Sequence, residues 1–235
     1  DSDWFNPANW TPAMVPGYCV NVVIPAGMIV TAGGMGMTAT CRSMSIAATS
    51  SVSVNDNVQL NITGGTMFGI SNAGTLNLNN DSYTNIQYIN GNGIENGNTI
   101  TMTGNAILYI SVTSQSSIRN LSGGTITINS NNGLDMNAAT ENAIYNSGTI
   151  HRSGFFNANN IAGSTIKNEG VFNNNDNLFI NAFGLPGWFV ENLSGGTINN
   201  NAGQTWTFPI PGSLYNVSDM EMINHAGATF NNDGP

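Results

Sequence analysis

Apolar and polar residues alternate with period two through most of this chain, in runs of three to five residues closed by Gly, Asn or Asp. That is the pattern of short strands with one buried face. One set of runs is Thr75-Leu76-Asn77-Leu78, Thr99-Ile100-Thr101-Met102, Thr125-Ile126-Thr127-Ile128, Thr149-Ile150-His151 and Thr197-Ile198-Asn199. A second is Leu60-Asn61-Ile62, Leu108-Tyr109-Ile110, Leu134-Asp135-Met136, Leu178-Phe179-Ile180 and Trp206-Thr207-Phe208. A third carries the signature apolar-x-Asn at Ile70/Asn72, Ile94/Asn96, Ile118/Asn120, Ile144/Asn146, Ile166/Asn168, Val190/Asn192 and Leu214/Asn216, in steps of 24, 24, 26, 22, 24 and 24. The stretch Leu121-Ser122-Gly123-Gly124-Thr125-Ile126 returns letter for letter at Leu193–Ile198, 72 residues on.

A period in this range belongs to stacked architectures in which each repeat contacts only its neighbours. Three short strands per repeat predict an all-β, single-domain parallel β-helix, a three-sided β-solenoid of about 24 residues per coil, expected to be right-handed. Coils beginning near Val22, Ile46, Ile70, Ile94, Ile118, Ile144, Ile166, Val190 and Leu214 give about nine, a rod roughly 40 Å long at ~4.8 Å per strand. Residues 1–20 lack the repeat and concentrate Trp4, Trp10, Pro7, Pro12 and Pro16. They are expected to form a cap over the first coil, since prolines cannot pair as a strand and an open coil exposes core and strand edges. Residues 21–235 form the helix, with corner insertions at 184–187 and 209–213.

Stacking assigns roles to the recurrent residues. Asn72, Asn96, Asn120, Asn146, Asn168, Asn192 and Asn216 fall one above another, and an amide that both donates and accepts can bond to its copies along the axis. The outward position beside them reads Ser71, Glu95, Arg119, Tyr145, Lys167, Glu191 and Tyr215, which pairs Glu95 with Arg119 and Lys167 with Glu191. Thr75, Thr99, Thr125, Thr149 and Thr197, flanked by Thr101 and Thr127, form an outer file of hydroxyls resembling the flat face of some solenoid antifreeze proteins. Val171, Asn173 and His151 interrupt it. Cys19 and Cys41 lie about one period apart, on neighbouring coils, and are expected to form a disulfide, with two buried free thiols as the alternative. A disulfide implies an oxidising, extracellular compartment.

Composition narrows the function. Only 7% of residues are charged, against about 25% in ordinary domains. The net charge of −9 reflects four Lys and Arg, too few for a nucleic-acid footprint. No apolar run reaches the ~20 residues of a membrane-spanning helix. The aspartates are scattered, and His151-Arg152 is the only adjacent basic pair, read as solvated, with no carboxylate expected beside it. No catalytic group, metal site or cofactor motif is therefore assigned.

The run Asp3-Trp4-Phe5-Asn6-Pro7-Ala8-Asn9-Trp10, then Val15-Pro16, Val22-Val23-Ile24-Pro25-Ala26-Gly27 and Cys41-Arg42-Ser43-Met44-Ser45-Ile46 resembles the start of β-helical regions in secreted surface proteins of Bacteroidota. The resemblance covers about the first 55 residues and implies an exported, adhesin-like polypeptide at the cell surface. The expected function is thus an extracellular structural or adhesive solenoid that is not an enzyme, joined head-to-tail into a filament or continued in a larger surface protein. A polysaccharide-binding or -degrading β-helix and an ice-binding protein are the alternatives, with glycans as the candidate partners. Asp1 reads as the start of a processed chain or of an excised fragment.

Overall fold

The computed structural model of the protein describes residues 2–176, 178–179, 189–207 and 222–233. The chain winds as a parallel β-solenoid with three faces. The first face is a nine-stranded sheet in chain order: Asn21–Ile24, Ser43–Ile46, Phe68–Asn72, Asn92–Asn96, Ile118–Asn120, Ile144–Asn146, Ile166–Asn168, Val190–Asn192 and Met222–Asn224. The second face begins at Ile29–Ala32 and runs through Thr75–Leu78 and Thr99–Gly104 to Thr229–Asn232. The third begins at Thr38–Cys41 and continues through Gln59–Thr63, Tyr83–Ile89 and Ile107–Thr113. Thr125–Ala139 and Thr149–Asn159 turn the corner between these two faces without breaking, with a register shift between Ser130 and Leu134. Leu178–Phe179 pairs with Trp206–Thr207.

Two register expectations need correction. Val22 stacks on Met44, and Met44 on Ile70, so the second coil starts at Met44 rather than Ile46. Ile46 instead sits beside Asn72, so Ile24 and Ile46 occupy the asparagine column in the first two coils. At the other end Val190-Glu191-Asn192 pairs with Met222-Ile223-Asn224, 32 residues on (222 − 190). The coil opening at Leu214 is thereby displaced, and Asn216, Tyr215 and both corner insertions lie outside the described residues. The signature Met222-x-Asn224 was in the sequence. The 24-residue period drew attention to Leu214 instead.

Inward positions carry Val, Ile, Leu and Met in continuous stacks that form one buried core, each side chain contributing roughly 1.5–3 kcal/mol when fully buried. The cap closes its N-terminal end. Trp4 is fully buried, and its backbone N–H donates to the Thr31 carbonyl at 2.8 Å, so residues 2–4 cover the edge of the second face. Trp10 stands edge-on to Trp4, ring centres 5.0 Å apart, and its indole N–H donates to the Trp4 carbonyl. The short 3-10 helix Pro7–Asn9 makes this turn, with the Asn6 side chain accepting from the Ala8 N–H.

The cysteines are both free, which overturns the disulfide. Cys41 ends a strand of the third face with its side chain in the core, where burial pushes the thiol up to about 12. Cys19 sits in the turn closed by the Val20 N–H on the Gly17 carbonyl and is exposed. One period of separation brings the two backbones level, but the turn aims one thiol out while the strand aims the other in.

Candidate functional site

The asparagine column is internal. In the described residues it runs Asn72, Asn96, Asn120, Asn146, Asn168, Asn192 and Asn224, each Nδ2 donating to the next Oδ1 at 2.7–2.8 Å. The same amides donate to corner carbonyls, as Asn120 does to Gly124 and Thr149. This explains the repeated Leu-Ser-Gly-Gly-Thr-Ile. Gly123 and Gly195 take φ +86°, the left-handed region that glycine enters without cost. A Cβ on Gly124 would lie 2.5 Å from Asn120 Oδ1 and 2.6 Å from the Asn96 carbonyl, and Gly196 meets Asn192 and Asn168 in the same way. The motif is a corner folded around the ladder, not a ligand site.

A second internal ladder went unread in the sequence. The inward column Leu78, Met102, Ile128 continues as Arg152, Asn174, Asn200 and Asn232. Arg152 is therefore buried rather than solvated. Its Nη1 donates to Asn174 Oδ1 at 2.7 Å and to the Asp176 carbonyl, its Nη2 donates to the Gly154 carbonyl, and Asn174 and Asn200 pass the chain on at 2.8 Å. Burial pulls the guanidinium down to about 10, partly offset by the Asp176 carboxylate, which also accepts from the Gly154 N–H. Strict alternation in Thr149-Ile150-His151-Arg152 puts Arg152 on the inside, and that signal could have found it.

The threonines stack as Thr75, Thr99, Thr125 and Thr149, then Val171, then Thr197, half-buried on the outside of the second face. Thr101 and Thr127 lie beside them, followed by His151, Asn173 and Asn199. From His151 onward that second file is tied by amides: Asn173 Nδ2 reaches His151 Nδ1 at 3.2 Å, and Asn199 Nδ2 donates to Asn173 at 2.7 Å. Its side chains bond along the axis more than they face solvent.

Charge collects on the outside of the first face. Glu95 meets Arg119 at 3.5 Å and Lys167 meets Glu191 at 3.2 Å, as stacking requires. Glu191 also faces His225 Nε2 at 3.2 Å and accepts from Ser164. Partial burial alone would raise its pKa, but Lys167, Ser164 and His225 together bring it below the usual glutamate range. Between these pairs lies a depression of about 300 Å³ lined by Asn92, Gln115, Ser116, Arg119, Glu141 and Tyr145. Asn92 is only 4% exposed; its Oδ1 accepts from the Ser116 N–H at 3.3 Å, and its Nδ2 has no hydrogen-bond partner among the described residues. The Ser116 hydroxyl points to Glu141 at 3.4 Å. Burial and the neighbouring Glu169 carboxylate push the Tyr145 phenol up to about 12. The sequence put Arg119 and Tyr145 in one outward column but gave no sign of this depression, because Gln115 and Glu141 come from corners and Asn92 opens a strand just after one.

Among the described residues no group of three or more His, Cys, Asp and Glu is placed to hold a metal ion, and no helix is long and apolar enough to cross a membrane. The fold and these columns define a three-sided parallel β-solenoid with an internal asparagine ladder. No protein-family model, curated protein or solved structure matches the chain.

Proposed function

We propose that this chain is an extracellular structural or adhesive β-solenoid that acts through its outer faces and ends, without catalysis. The observation that carries this reading is the axial bonding. Amide ladders run from Asn72 to Asn224, so hydrogen-bonding capacity is spent on holding neighbouring coils in register. A stack tied in this way is a stiff spacer.

The ends of the first face support head-to-tail association. Its outward column reads Val23, Ser45, Ser71, Glu95, Arg119, Tyr145, Lys167, Glu191 and Ile223. Among the described residues it is polar throughout except at its first and last positions, Val23, which stands 65% exposed, and Ile223. An edge strand of one copy laid on the other end of the next would bring Val23 beside Ile223 and continue the parallel sheet, the heterologous contact that builds filaments. Electron microscopy across a concentration series tests this. Rods that lengthen with concentration and shorten in Val23→Lys are expected, whereas particles one chain long at every concentration would refute the filament. A second reading, as a glycan-binding β-helix, is favoured by the polar depression around Asn92.

A further inference from the structure

The depression on the first face has the composition of a ligand site. A carboxamide N–H group with no partner among the described residues, on a side chain otherwise enclosed by protein and lining the depression, is a preplaced donor. Around it stand the Glu141 carboxylate, which only accepts, the Arg119 guanidinium, which only donates, and the Gln115 amide, which does both. Tyr145 lines one side with its ring. Planar donors and acceptors grouped around one enclosed amide, beside an aromatic ring, match a pyranose ring, whose hydroxyls each donate and accept and whose C–H face is apolar. The volume lies at the low end of the ~300–1,000 Å³ of ligand pockets, room for one or two sugar rings. The charges select further. Glu95, Glu141, Glu169 and Glu191 outnumber the two cations nearby, Arg119 and Lys167, which are already paired with Glu95 at 3.5 Å and Glu191 at 3.2 Å, so the surroundings disfavour an anion.

We propose that this depression docks a neutral hexose residue of a glycan, with Asn92 and Arg119 donating to ring hydroxyls, Glu141 accepting from them and Tyr145 packing against the ring. The inference rests on the adhesive half of the proposed function and names its ligand.

The test is a titration of the ¹⁵N-labelled chain with methyl hexosides (gluco, galacto and manno) and with methyl glucuronide, observing side-chain amides. At least one neutral hexoside should shift the Asn92 and Gln115 amide signals saturably at millimolar concentration, and more tightly than the glucuronide. Gln115→Ala and Glu141→Gln, both at exposed positions that should keep the native backbone spectrum, should each weaken binding roughly 3- to 10-fold, the span of one lost hydrogen bond. Asn129→Ala, exposed on the second face, should not change it. No response at these amides to any neutral hexoside, or tighter binding of the glucuronide, overturns the site. The same variants in an adhesion assay on glycan-bearing surfaces keep the two claims apart. Adhesion that persists with silent amides overturns the site alone. Responding amides without adhesion leave the site standing and overturn the adhesive reading.

Discussion

Removing one rung of the asparagine ladder should cost very different amounts depending on where the rung lies. Asn120 accepts from Asn96 Nδ2 at 2.8 Å and donates to Asn146 Oδ1 at 2.8 Å and to the Gly124 and Thr149 carbonyls at 3.1 and 3.2 Å. The ladder has a direction, and that sets the damage. In Asn120→Ala the preceding Asn96 still donates to the Asn98 and Thr125 carbonyls. The following Asn146 loses its ladder donor and holds a buried acceptor that no water reaches. An orphaned buried group costs about 1–3 kcal/mol, and the two donations lost with the amide add about 1 kcal/mol each. The expected loss is therefore about 3–5 kcal/mol. Asn224, the last described rung, is exposed and has no described rung after it, and Asn192 keeps the Gly196 and Thr229 carbonyls as acceptors. Asn224→Ala should cost about 1 kcal/mol or less. Guanidinium unfolding followed by far-UV circular dichroism reads both, with exposed Asn129→Ala as the control. The m-value must be compared as well, since a solenoid cut at its middle can unfold in two parts. Equal losses in the two variants, or a loss below about 1 kcal/mol for Asn120→Ala, would refute the directional ladder.

Four further outcomes are expected. Gly124→Ala drives a methyl into Asn120 Oδ1 and the Asn96 carbonyl, so it should destabilise by several kcal/mol, on the order of other severe overpacking, measurable in the same assay; a loss within error of Asn129→Ala would contradict it. Native protein should react with a thiol reagent at one site, exposed Cys19, and at two after unfolding; two fast sites or none in the native state would contradict the free, divided thiols. Glu191, held below the usual range of about 4.3, contributes stability that is complete above that range and lost as pH falls through its folded value. Midpoints of wild type and Glu191→Gln should accordingly differ at neutral pH and converge in acid below the usual glutamate range, and a constant gap would dismiss the linkage. Val112 has φ +55° and is 43% exposed, so Val112→Gly should be neutral or stabilising by up to about 1 kcal/mol, and a clear loss in melting temperature would show that its side chain matters more than its backbone.

The coil was legible because period-two alternation and the 24-residue recurrence are written directly in residue order. The ladder followed, since an amide in register with its copies has a partner in each. The charged pairs Glu95–Arg119 and Lys167–Glu191 were legible for the same reason, being fixed by one coil of separation. Errors came where register slips. Met44 displaced Ile46 because the first two coils have no asparagine to mark the phase, and Asn224 displaced Asn216 because the step there is 32 residues. Arg152 was misjudged from residue type, although its phase placed it inside.

By itself, the order of residues determined that the chain stacks, which face of each strand is buried and which side chains recur along the axis, because each of these depends on spacing alone. Tertiary structure decided what happens at the corners. Tyr88, Val112, Ala138 and Asn160 all adopt φ between 52° and 57° without a glycine among them. Each follows residues held in register with a neighbouring coil, so the stack imposes a left-handed turn that the local preference of Tyr88, Val112 and Ala138 would not choose. Three of these corners bring Asn92, Gln115 and Glu141 to one depression, and the turn before the first strand points Cys19 away from Cys41. A strand's direction is local, but where a corner points depends on the coils it is stacked between.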